Sequence, residues 1–285
     1  MKSHRLLLCT LALFLASGTA VHADHPVAPV PDDQFVDFPW REHHDWDASN
    51  SGIDVGWFFD LLVPLPNDAW RDRVKDGKDI WAGHYGVPAE GGIHNVRLNQ
   101  MGSRFVTPRN NNRVGCPAEV SNDTFPKSFW IAVGYDVVRD IESGLPIMSW
   151  SAATSKCQTW NFWGNESNRE IYYQINAAHG NAAFWSSTNA PPNDKLDLFS
   201  MSVHEFGHAL GWWKGQDSQG HFTEPIVCNP AQPESFQSMC PGITTGSPNA
   251  GAVQLNTRTL NSHDRSASKD GYFPNCNDDV PPCDL

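Results

Sequence analysis

Residues 197–213 read DLFSMSVHEFGHALGWW, and the rest of the chain is organised around them. Leu198, Phe199, Met201, Val203, Phe206, Ala209 and Leu210 suit one mostly buried helix. Within it, His204, Glu205 and His208 follow the pattern H-E-x-x-H. Positions i and i+4 of a helix share a face, so both imidazoles can point at one ion. Zn²⁺ accepts imidazole nitrogen at about 2.0–2.1 Å, and a catalytic site keeps one position open for water. Glu205 then lies beside that water, where a carboxylate serves as general base.

Gly211, three residues after His208, stands where a left-handed turn would end the helix. Farther along, Met239 sits in the turn-like stretch Ser238-Met239-Cys240-Pro241-Gly242. HEFGHALG followed by a Met in a turn resembles the metzincin zinc endopeptidases, and is especially similar to their matrixin-like and astacin-like members. The resemblance is close over residues 197–211, with weaker echoes at Met239 and over 264–272. It implies an α+β fold with a twisted, mostly parallel sheet, an active-site helix and an irregular C-terminal subdomain. It also implies that Met239 packs beneath the metal, and that residues 260–272 form a terminal helix carrying Asp264 and Tyr272. A purely structural His pair does not explain Glu205, Gly211 and Met239 together.

One departure matters. The family pattern puts a third ligand, His or Asp, three residues after the glycine, and here Lys214 holds that position. A protonated ammonium would repel the ion. His221 is the preferred third ligand, because imidazole ligates without adding charge. Asp217 is the alternative with the shorter detour, and His263 a remote third. Residues 214–220 hold two glycines and no proline, which permits a short excursion that returns to the metal.

The expected function is a secreted zinc endopeptidase in which Glu205 takes a proton from a zinc-activated water and passes it to the leaving amine. Its partner is a protein or peptide substrate, and the chain is expected to act as a monomer. The alternative is a catalytically impaired pseudoprotease or binding protein of the same fold, with Lys214 marking a decayed site. A carbohydrate- or surface-binding module, suggested by the twelve tryptophans, lacks any repeated Trp spacing.

Residues 1–23 read as a secretory signal peptide: Lys2 and Arg5, an apolar run over 6–16, and Val21-His22-Ala23 before the cleavage point. That run is too short to span a bilayer. Secretion, or export to a periplasm in a bacterial host, follows as the expectation. The formal charge of −12 becomes two units more negative without Lys2 and Arg5, which disfavours nucleic acid and anionic membrane as partners. Residues 24–285 are expected to form a single catalytic domain, with an N-terminal subdomain to about 211 and a C-terminal one over 212–285.

Of seven cysteines, Cys9 leaves with the leader. The remaining six imply three disulfides, for which sequential pairing is expected: Cys116–Cys157, Cys228–Cys240 and Cys276–Cys283. Arg113-Val114-Gly115-Cys116-Pro117 invites comparison with the inhibitory cysteine of matrixin propeptides, but its residue order differs. His43-His44-Asp45 is read as an ordinary exposed pair. Two sequons begin at Asn122 and Asn165. Strands are expected over 54–63, 93–98, 104–107, 129–138 and 170–176, and a helix over 67–81 ending at Gly83. In metzincins a strand preceding the zinc helix edges the cleft, and residues 170–176 are the expected counterpart.

Overall fold

Val55, Trp57 and Phe59 alternate with Phe58 and Asp60 along one strand, yet all five are buried, so both faces of that strand are covered. Such burial belongs to parallel sheets. The structure is a computed structural model that describes residues 53–86, 96–104, 129–140, 143–160, 166–211, 221–222, 227–242 and 245–265. Strand β1 (Ile53–Asp60) runs parallel to β2 (Val96–Arg104) and to β3 (Phe129–Asp136). β4 (Ala152–Trp160) runs antiparallel to β5 (Glu166–Asn176), which pairs in parallel with β3. The order is β2-β1-β3-β5-β4, a five-stranded and mostly parallel sheet in an α+β fold.

Two helices pack on the Trp57 side. α1 (Asp68–Gly86) starts where the Asn67 carboxamide accepts from Trp70 N at 3.1 Å. α2 (Leu198–Ala209) sets Phe206 edge-on to Trp57 and Tyr173, with ring centroids 6.0 and 5.9 Å away. The helices approach closely: an added Cβ at Gly77 would lie 2.5 Å from Ser202 Cβ, and Trp81 Nε1 donates to Val203 O at 2.6 Å.

The C-terminal part is tied to the start of α2. Asp197 caps the helix by accepting from Ser200 N, and its carboxylate also accepts from Arg258 Nε at 2.7 Å and Nη2 at 2.9 Å. The same guanidinium donates to the carbonyls of Ser187, Thr188 and Asn189. Gln254, on α3 (Ala250–Asn256), accepts from Asp197 N at 2.7 Å. Phe184–Trp185 (β6) and Leu196–Asp197 (β7) form a small parallel pair beside it.

Several expectations are corrected. The first strand stops at Asp60, whose carboxylate accepts from Leu62 N at 2.8 Å and turns the chain. α1 continues through Gly83 to Gly86. The two strands expected over 93–98 and 104–107 are replaced by β2, which runs unbroken through Gly102; residues 93–95 and 105–107 lie outside the described part. β3 ends at Asp136, whose carboxylate accepts from Val137 N at 2.7 Å. β4 was not expected at all. It displaces β5 from the edge, because β5 has β3 on one side and β4 on the other. Residues 1–52, with the signal-peptide reading and His43-His44-Asp45, lie outside the described residues. Among the described residues no helix is long and apolar enough to cross a membrane.

Candidate metal centre

α2 carries His204 and His208 one turn apart, and the chain returns so that His221 faces both. His204 Nε2 lies 3.1 Å from His208 Nε2 and 3.1 Å from His221 Nε2. These three histidines are positioned to hold a metal ion. Nitrogens bound to one tetrahedral ion at the usual zinc distance sit about 3.3 Å apart, so the cluster fits such an ion with little movement. Imidazole-only donors also suit copper, iron or nickel.

The cluster is braced from behind. His204 Nδ1 donates to Ser238 O at 2.7 Å, which fixes the tautomer and leaves the Nε2 lone pair facing the other rings. Burial first, then the nearby His208 and His221, holds His204 well below the usual histidine range, so it stays neutral. Ser238 is itself held: its N–H and that of Met239 donate to the Asp264 carboxylate at 2.8 and 3.1 Å. Met239 is fully buried beneath α2, where an added Cβ at Gly207 would lie 2.3 Å from its Sδ. Only glycine admits that contact. Gly211, at φ 117, ends the helix as its place after His208 suggests.

His221 depends on the same brace. Phe222 N donates to Met239 O at 3.1 Å, and Gln237 N donates to Val227 O at 3.1 Å. The Cys228–Cys240 disulfide, with 5.6 Å between Cα atoms, closes this loop. The segment carrying His221 and the turn carrying Met239 are therefore one unit.

Glu205 is buried on α2, and Thr154 Oγ1 on β4 donates to its Oε2 at 2.7 Å. Burial pushes the Glu205 carboxyl up to about 7, while the Thr154 bonds pull it down. Such a group gives and takes a proton near neutral pH.

The structure thus brings together His204, Glu205, His208, His221, Met239 and Asp264. Asp217, Lys214 and Tyr272 lie outside the described residues, as do Cys116, Cys276, Cys283 and the side chain of Cys157, and so the other two pairings. His263 stacks edge-on to Phe222, with centroids 6.4 Å apart, and is not in the cluster. Thr154 and the carbonyl of Ser238 were missed by sequence reasoning. Ser238 had a signal, adjoining Met239; Thr154 lies 51 residues from its partner and had none. Compared with known proteins, the chain matches no family model and no curated protein.

Proposed function

We propose that the protein is a secreted zinc-dependent endopeptidase of metzincin type. The observation that carries this reading is the convergence of His204, His208 and His221 with Glu205 on the same helix and Met239 packed beneath it. His204, His208 and His221 would hold the zinc, which when bound acts as a Lewis acid and lowers the pKa of a coordinated water to about 7. Glu205 accepts a proton from the attacking water on its carboxylate and delivers it to the leaving amine. The outer side of β4 is a sheet edge among the described strands, and an extended peptide adds there by main-chain hydrogen bonds. The Cys228–Cys240 disulfide points to an oxidising compartment and so supports export.

The test is Glu205→Gln, assayed for peptide hydrolysis and for bound metal. The amide keeps the shape and cannot take the proton, so hydrolysis should fall at least a hundredfold with metal still near one equivalent. Hydrolysis within tenfold of the native chain would exclude Glu205 as the base. A native chain that binds one equivalent of zinc and cleaves no peptide would point instead to the pseudoprotease reading.

A further inference from the structure

Glu205 is suspended from the sheet. Thr154 stands opposite Tyr173 in the β4–β5 register, so the two side chains share a face. Tyr173 OH lies 2.9 Å from Ser202 Oγ, and Thr154 Oγ1 lies 2.7 Å from Glu205 Oε2. Ser202 and Glu205 are three apart on α2 and face the same way. Two hydroxyls of adjacent strands thus meet successive turns of one helix. The Thr154 proton has two acceptors, Glu205 O at 3.2 Å and Oε2 at 2.7 Å, and the shorter, charge-assisted contact takes it.

We infer that Thr154 is the positioning residue of the general base: its hydroxyl fixes Glu205 Oε2 and leaves Oε1 to face the reacting water. The inference rests on the endopeptidase reading. A terminal carboxylate torsion is broad and roughly two-fold, so an untethered Glu205 would spread over rotations in which neither oxygen is well aimed. Thr154 and Glu205 are both buried, so water does not readily replace the lost donor. Thr154 also belongs to the edge strand, so the group that moves the proton hangs from the strand against which the substrate would lie.

Thr154→Val keeps the shape without the hydroxyl; Thr154→Ser keeps the hydroxyl without the methyl. With the full zinc-loaded chain, Thr154→Val should lower kcat about tenfold or more, with KM within twofold and metal at one equivalent. Thr154→Ser should stay within about threefold of the native kcat. A native kcat in the valine variant, or equal damage in both, would overturn the inference. A second readout needs no activity: a double-mutant cycle of Thr154→Val with Glu205→Ala, on unfolding of the metal-free chain. The two losses should be non-additive; additivity would show that no bond joins them. If the cycle shows coupling and the native zinc-loaded chain cleaves no peptide, the endopeptidase reading falls while the Thr154–Glu205 bond stands.

Discussion

His204 does two jobs with two nitrogens, one turned toward the Ser238 carbonyl and one toward its fellow histidines. Its proton affinity therefore enters stability. In the folded chain it is held well below 6.5; unfolded, it returns to its ordinary value. As pH falls below 6.5 the unfolded chain takes a proton that the folded chain refuses, so this contribution is whole above 6.5 and is lost below it. Glu205 works the opposite way: folded near 7 and unfolded near 4.5, it favours the folded chain more as pH falls. The prediction is a difference: from pH 7 to 5.5 the metal-free native chain should lose more thermal stability than His204→Ala. Equal slopes would contradict it. His204, Glu205 and His208 were legible because their relation is local, one helical turn. His221 was legible as chemistry only, since its placement depends on the hydrogen bond from Phe222 to Met239.

The two long helices owe their closeness to a missing methyl. Gly77 lies where an added Cβ would meet Ser202 Cβ at 2.5 Å and the Val203 nitrogen at 2.8 Å, and backbone does not yield as a side-chain tip does. Gly77→Ala should therefore destabilise the chain by about 1–3 kcal/mol, although alanine is the better helix former. Urea unfolding checks this; a stabilised variant would mean that the crossing is looser than described. In sequence Gly77 reads as a weakness inside a helix rather than as a crossing point. β4 was illegible for a related reason. Its buried residues among those described, Ala152, Ala153, Thr154 and Ser155, are all small and two of them are polar, so it lacks the large apolar and aromatic side chains that marked β1 and β3. Once β4 is overlooked, β5 looks like an edge.

Across the whole molecule, Arg258 and Asp197 join distant parts of the described chain. Arg258→Ala would leave the buried Asp197 carboxylate without its cation and the carbonyls of residues 187–189 without their guanidinium donor, a loss of about 3–5 kcal/mol. Chemical denaturation measures it; a change below about 1 kcal/mol would show the pair to be incidental. The coarse fold class, α+β with a mostly parallel sheet, was legible through the resemblance that residues 197–211 carry, whereas this long-range closure was not, because nothing near Asp197 names a partner 61 residues away. The brace behind His204 sets a clock on synthesis. Ser238 follows His204 by 34 residues, and Asp264 follows Ser238 by another 26. At ordinary translation speeds a ribosome needs roughly 3 to 12 seconds to cover that stretch. A nascent chain thus displays the two helix histidines well before it owns the groups that hold them in place, and the centre cannot be completed until Asp264 has been made.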